Sequence, residues 1–290
     1  MSFKKNIINL YGQKGQEWLN NIPNIVNNLS EYWELSNLQV MPNLSYNYVL
    51  SAIQKNIPVI LKISFDKKYL EREINALNAF SGSDCVGIIS YDIELGALLL
   101  QKMIPGTSLK KLFPNQDEKA TKIICDIIKN LHSISISNLE NFPNIFDWLK
   151  ILDKNLNLPK KYLIRARELK DYFFSKTLRQ VLLHGDLHYD NILWDEHEGW
   201  VAIDPKGVLG NPIIEVASAI YNPIPELLKQ NNVKDIILNR INLISNSLNL
   251  SCEEIIRATY LKVVLSTCWA VDENINKNYF LNVLKIIDEL

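Results

Sequence analysis

Three oxygen-bearing side chains carry the strongest chemical signal in this 290-residue sequence. Asp186 and Asn191 lie five residues apart in His184-Gly185-Asp186-Leu187-His188-Tyr189-Asp190-Asn191, and Asp204 follows thirteen residues later. A carboxylate, a neutral amide and a second carboxylate in that order suit phosphoryl transfer. Asp186 would accept the proton of an attacking hydroxyl, and Asn191 and Asp204 would offer hard oxygen ligands to magnesium. Other chemistries use the same residue types. His184, Asp186, His188 and Asp204 could ligate the metal of a hydrolase, although that reading leaves Asn191 without a role. A serine hydrolase would need an activated serine, and no Gly-x-Ser-x-Gly elbow is present; neither is a Gly-x-x-x-x-Gly-Lys-Ser/Thr or a Gly-x-Gly-x-x-Gly loop.

The elements around the motif must hold it. The apolar runs Val181-Leu182-Leu183 and Ile192-Leu193-Trp194 frame it as a turn between two short buried strands, and Trp200-Val201-Ala202-Ile203 brings a third strand up to Asp204. Toward the N-terminus, residues 12 to about 35 carry apolar positions at helical spacing and predict two short amphipathic helices, the second opened by Pro23. From Leu38 the pattern turns to strands: 38–41, 48–53, 59–63, 86–91 and 97–103, with a helix over 67–80 inserted after the third. Lys62 interrupts the apolar strand 59–63, either as an edge residue facing solvent or as a lysine held for phosphate oxygens. A glutamate on the following helix is the partner that fixes such a lysine. Glu71 and Glu73 compete for that place, and Glu73 is preferred because it adjoins Ile74 and Leu77. Ile104-Pro105-Gly106 is a breaker that ends the sheet. Beyond it the chain is helical apart from the motif, with a helix starting near Ile213 and carrying Glu215, then segments over 233–248, 251–271 and 275–290. The expected division is 1–104, a sheet lobe that binds nucleotide, and 105–290, a helical lobe with the catalytic loop.

Bulk properties narrow the class. At 47% apolar and 22% charged the composition is that of an ordinary globular protein, and a formal charge of -1 gives no reason to expect nucleic acid or an anionic membrane as partner. Cys85, Cys125, Cys252 and Cys268 form no CxxC pair and read as free thiols of a reducing compartment. No apolar run approaches the roughly 18 residues of a membrane span, and the N-terminus lacks the apolar core of a signal peptide. A cytoplasmic location is therefore expected, while oligomeric state is not encoded in any readable pattern.

Taken in order, Lys62, Glu73, the Pro-Gly connector, Asp186, Asn191 and Asp204 resemble the aminoglycoside phosphotransferase family, relatives of protein kinases, and within it the streptomycin 6-kinase and hydroxyurea phosphotransferase branch. The stretches that carry the resemblance are 96–106, 184–193 and 199–207, and the similarity extends from about Trp18 to Trp269. It implies an α+β, bilobal protein-kinase-like fold: an antiparallel sheet lobe with an inserted helix and a larger, mainly helical lobe. It also implies ATP, or GTP, with magnesium. Lys62 would grip the α- and β-phosphates with Glu73 orienting it, and the connector groups of Gln101, Met103 and Ile104 would meet the adenine edge. Where a glycine-rich loop would cover the phosphates, this sequence has Pro42-Asn43-Leu44-Ser45-Tyr46-Asn47-Tyr48, so the Ser45 hydroxyl or the Asn47 amide would substitute.

The same resemblance implies a small-molecule hydroxyl as acceptor, with streptomycin leading. Another sugar or amino-alcohol is the alternative within the class, and a nucleotide-binding pseudokinase the alternative outside it. A polycationic acceptor calls for carboxylates and aromatic faces. Glu215, Trp269, Asp272 and Glu273 are the candidates, joined by His188, Asp190 and Lys206 around the motif; each also has a plain structural reading as helix end, core residue or turn former.

Overall fold

The computed structural model describes residues 3–135, 139–175, 180–273 and 275–290. The chain forms two compact units, Met1–Ser81 with Val86–Ile104, and Gly82–Cys85 with Pro105–Leu290.

The first unit begins with α1, Phe3–Tyr32, which breaks at Gly12, where φ 57 and ψ -134 leave the helical region. The helix pair therefore divides at Gly12, and Pro23 lies within the second helix instead of opening it. Only glycine takes that conformation without strain. The two helices then approach so closely that a Cβ on Gly15 would stand 2.7 Å from the Ile7 carbonyl oxygen. Five strands follow: β1 (Leu35–Val40), β2 (Asn47–Gln54), β3 (Ile57–Ser64), β4 (Ile88–Asp92) and β5 (Ala97–Gln101), with α2 (Lys67–Ala79) between β3 and β4. Lys55 and Asn56 at positive φ make the tight turn joining β2 to β3. The sheet order is β1-β2-β3-β5-β4, with each pair antiparallel. β3 is thus central, which removes the edge reading of Lys62. Leu29 and Trp33 pack on the buried face with Leu35, Leu50, Val59, Leu61, Ile63 and Leu99.

The second unit corrects two sequence expectations. Pro105 and Gly106 do not simply end a sheet: β6 (Pro105–Ser108) pairs with β8 (Ile192–Asp195), which pairs with β9 (Gly199–Ala202). Pro105 is tolerated there because β6 is an edge strand with a bulge. The segment after Asp204 is also not one helix. β10 (Val208–Gly210) pairs with β7 (Val181–Leu183), a 3-10 turn spans Pro212–Ile214, and the short helix α6 covers only Ala217–Tyr221, so Glu215 falls between them. The remaining helices are α3 (Asp117–His132), α4 (Ile145–Leu149), α5 (Lys160–Ser175), α7 (Val233–Leu248), α8 (Cys252–Asp272) and α9 (Asn278–Ile287). α8 is buried on nearly every side from Ala258 to Leu265 and forms the axis of this unit. Gly82–Cys85 belong here because Asp84 accepts from Ala202 N at 2.8 Å and from Asn130 Nδ2 at 2.6 Å. Among the described residues no helix is long and apolar enough to cross a membrane.

Candidate active site

In the first unit, Lys62 on β3 meets Glu73 on α2, with Nζ 2.7 Å from Oε1 and 2.6 Å from Oε2. Both side chains are buried. α2 presents Glu73 inward because Asp66 caps it, accepting from Tyr69 N at 3.0 Å, and fixes where the helix starts. Of the two glutamates, Glu73 makes the pair. A buried ion pair is held together only when its partners compensate the lost hydration, so both side chains are fixed in place.

The loop before β2 contains no glycine, yet Asn43 takes φ 60, a conformation asparagine tolerates better than most residues. The Ser45 carbonyl accepts from Asn6 Nδ2 at 3.0 Å, and Phe3 packs on Tyr48 at 5.8 Å between ring centroids. The N-terminal helix thus fastens this loop, which nothing in the local sequence signals. Gln101 Oε1 accepts from Gly87 N at 3.2 Å, Met103 is buried and Ile104 is exposed.

In the second unit the turn 184–186 has its peptide groups bound one by one. His184 N and Gly185 N donate to Glu215 at 2.5 and 3.0 Å. The His184 carbonyl accepts from Lys206 N at 2.7 Å, and the Gly185 carbonyl from Lys262 Nζ at 2.8 Å. The Asp186 carbonyl accepts from Asn191 Nδ2 at 3.0 Å, which leaves Asn191 Oδ1 for another ligand. Ile203 N donates to Asn191 O at 2.9 Å and so ties the residue before Asp204 to Asn191. Asp204 adopts φ 62, a strained conformation of the kind found at functional sites. Lys206 Nζ lies 2.8 Å from Asp204 Oδ2 and 3.8 Å from Asp186 Oδ2, so one cation faces both carboxylates.

His184 is fully buried. Its Nδ1 faces the Asp186 N–H at 3.3 Å and must accept, so Nε2 carries the proton and donates to the Ile203 carbonyl at 3.0 Å. Burial holds its pKa down, against the raising influence of Glu215 and Asp186. With both ring nitrogens so engaged, His184 is unavailable to the metal-hydrolase set, and no group of three or more His, Cys, Asp or Glu gathers as a metal centre among the described residues. Asn191 Oδ1 and the Asp204 carboxylate are instead two hard oxygens, the donor type that could hold magnesium.

The acceptor candidates separate. His188 Nδ1 accepts from Asp190 N at 3.2 Å and caps the following turn, while its Nε2 lies 3.8 Å from Asp186 Oδ1. Asp190 is exposed and lies 3.4 Å from Lys110. Glu215 does not face an acceptor: it is buried, and its carboxylate is committed to the turn. Burial pushes its pKa up, but the hydrogen bond and charge of His132, the nearby His184 and the Gly185 N–H outweigh that and leave it lowered. Asp272 is paired on the surface with Lys154 at 2.9 Å. Glu273 closes the end of α8 through its backbone N–H to Trp269 O at 2.9 Å. Trp269 is half-buried and meets Trp148 edge-on at 5.5 Å.

Sequence reasoning missed Trp148 and Lys262, and also the support beneath the turn. There Tyr189 donates to Asp117 at 2.9 Å, and Arg240 clamps the same carboxylate at 2.8 and 2.6 Å. An Arg in the apolar periodicity of 233–248 was the one available signal.

Residues 33–274 match the family model described as aminoglycoside/hydroxyurea antibiotic resistance kinase. The streptomycin 6-kinase of Streptomyces glaucescens is 22% identical over 274 residues, covering 91% of this chain and 87% of that protein. The hydroxyurea phosphotransferase of Kitasatospora aureofaciens is 26% identical over 220 residues, covering 73% and 64% respectively. The choline kinase LicA of Streptococcus pneumoniae shares the fold with a TM-score of 0.67 at 15% identity, over 93% of this chain and 100% of its own.

Proposed function

The chain belongs to the aminoglycoside/hydroxyurea antibiotic resistance kinase family and is a small-molecule phosphotransferase of kinase-like fold; from that premise we propose that it moves the γ-phosphate of ATP to a hydroxyl of streptomycin, inactivating the antibiotic. The observation that carries the phosphoryl-transfer reading is the bound turn: Asn191 Nδ2 holds the Asp186 carbonyl, which leaves its Oδ1 out of that bond, and Ile203, the residue before Asp204, is tied to the Asn191 carbonyl. Streptomycin as acceptor rests on the likeness to streptomycin 6-kinase.

In the proposed reaction Asp186 orients the acceptor hydroxyl and takes its proton as the oxygen attacks phosphorus. Lys62, held by Glu73, neutralises the α- and β-phosphates. Lys206 lies against both carboxylates and supplies positive charge where the phosphate arrives. Asn191 Oδ1 and the Asp204 carboxylate would hold magnesium, which when bound offsets charge on the transferring phosphate. Gln101, Met103 and Ile104 would meet the adenine edge, and the loop at Ser45 would close on the phosphates. The His188 edge and Trp269 would line the acceptor side. Positioning and charge neutralisation suffice for such a transfer, so no covalent intermediate is invoked.

A coupled ADP-release assay with streptomycin, other aminoglycosides, hydroxyurea, choline and small sugars tests this reading. ADP released only with streptomycin present supports it. Release with another compound and none with streptomycin overturns the acceptor assignment, and no release with any compound favours a nucleotide-binding protein without turnover.

A further inference from the structure

One group beside the motif has no part in the phosphate chemistry above. Lys262 lies in the middle of α8, between Leu261 and Val263, and is 4% exposed. Its Nζ donates to the Gly185 carbonyl at 2.8 Å. The same ammonium lies 5.0 Å from the centroid of the Trp148 ring and 5.7 Å from that of Trp269. We propose that Lys262 is a positioning residue for phosphoryl transfer: it fixes the Gly185–Asp186 peptide plane and so aims the Asp186 carboxylate at the acceptor hydroxyl. The proposal rests on reading Asp186 as the proton acceptor.

Packing alone does not explain a lysine here. A buried cation carries a desolvation penalty of several kcal/mol, and an apolar residue of similar volume often serves stability as well or better. Burial accordingly lowers the Lys262 pKa, while the charges of Asp186 and Glu215 act to raise it and Lys206 to lower it. What the charge does achieve is local. Gly185 has φ 83, and a Cβ there would stand 2.9 Å from the Trp148 ring. Glycine, indole and ammonium thus form one packed unit, and the residue beside Asp186 has no side chain with which to fix its own orientation. Glu215 grips Gly185 at its N–H and Lys262 at its carbonyl, from two different elements. Without Lys262 the Gly185 carbonyl, which leads into Asp186, loses the charged hold at 2.8 Å.

The test uses the full chain with Lys262→Met, which keeps the length without the charge, and Lys262→Gln, which keeps an N–H donor. Lys262→Met is expected to lower kcat about tenfold to a hundredfold, the scale on which small misplacements of a reacting group act. The nucleotide KM is expected to stay unchanged, and amide hydrogen exchange over residues 183–188 to quicken. Lys262→Gln recovers part of both effects. An unchanged kcat with wild-type exchange in that segment overturns the proposal. So does a loss of thermal stability that is equal in the two variants and accompanied by a wild-type kcat. If the wild type transfers phosphate to no acceptor, the functional reading fails on its own. Exchange then decides the role of Lys262, and wild-type exchange in the Met variant overturns it.

Discussion

The Lys62–Glu73 pair and the turn at Asp186 solve the same problem, holding a charged group still, in opposite ways. The pair belongs to the sheet unit and is made of two side chains that hold each other, on a strand and on the helix after it, eleven residues apart. The turn belongs to the helical unit, and the Asp186 side chain is held by neither of its chain neighbours. Its backbone is gripped by Glu215, Lys206, Asn191 and Lys262, of which Lys262 is 77 residues from its partner. The first device is itself an ion pair; in the second the scaffold binds peptide groups, and the carboxylates of Asp186 and Asp204 face Lys206. On the proposed roles, disturbing the pair should affect both folding and nucleotide affinity, whereas changing the Asp186 side chain should affect turnover alone.

Asp186→Asn is the sharpest form of that contrast. It keeps the shape and every backbone hydrogen bond but removes the proton acceptor, so kcat should fall about 10³-fold, within the range of lost general-base assistance. Nucleotide affinity and melting temperature should stay at wild-type values. A comparable fall in nucleotide affinity would merge the two regions and break the distinction.

The pair predicts the reverse. Glu73→Gln leaves the Lys62 ammonium buried without its counter-charge, at a cost to stability of about 3–5 kcal/mol, and weakens nucleotide binding about tenfold to a hundredfold through the lost charged contact. Replacing both partners, Lys62→Met with Glu73→Leu, should recover much of the stability while nucleotide binding stays weak. Denaturant titration and nucleotide titration of the two variants together check this. If the double variant binds nucleotide as the wild type does, Lys62 does not touch phosphate.

The same asymmetry explains what could be read in the sequence. The pairing of Lys62 with Glu73 and the grouping of Asp186, Asn191 and Asp204 about one turn were legible because strand and helix periodicity sets the spacing of the first two, and one turn and one short strand set the spacing of the rest. Glu215 was visible as a carboxylate after the motif, but its direction was not: the expected helix is a 3-10 turn, which rotates the side chain under the turn. Lys262 was hidden by its own surroundings. In a helix apolar on all sides there is no polar face from which a lysine can be seen to depart. The break at Gly12 was missed for a related reason. Pro23 is the stronger helix signal by propensity, but the chain reverses where φ turns positive, and only the close approach of Ile7 and Gly15 reveals the reversal.

A smaller effect separates the scaffold of the turn from its chemistry. His184 is neutral and doubly hydrogen-bonded when folded, and burial lowers its pKa from the ordinary 6.5. Between the lowered folded value and 6.5 the unfolded chain binds a proton that the folded chain does not. Its contribution to stability is thus fully present above about pH 6.5 and is lost as pH falls, by at most about 1.4 kcal/mol per pH unit. Glu215, also lowered, adds a loss of the same sign below its ordinary 4.5. Melting temperatures from pH 8 down to pH 5 should begin to fall near 6.5, and His184→Gln should flatten that part of the curve. A wild-type curve with no inflection there would mean that the buried ring takes up a proton as readily as it does in the unfolded chain.

The smallest expected effect tests whether the sheet unit has a backbone-held region of its own. The Asn6 amide on the Ser45 carbonyl, with Phe3 on Tyr48, repeats on a modest scale what Glu215 and Lys262 do for the turn. This contact is exposed, so its loss is worth about 1 kcal/mol at most, a change of roughly fivefold. If the loop 42–48 closes on the phosphates, Asn6→Ala should raise the nucleotide KM within that limit and leave kcat at saturation unchanged. The carbonyl acts only by holding the loop, and no reacting group is moved. A KM equal to that of the wild type would confine backbone anchoring of the site to the helical unit. A fall in kcat instead would mean that the loop carries a group that acts in the transition state, and Ser45→Ala would then be the variant that reproduces it.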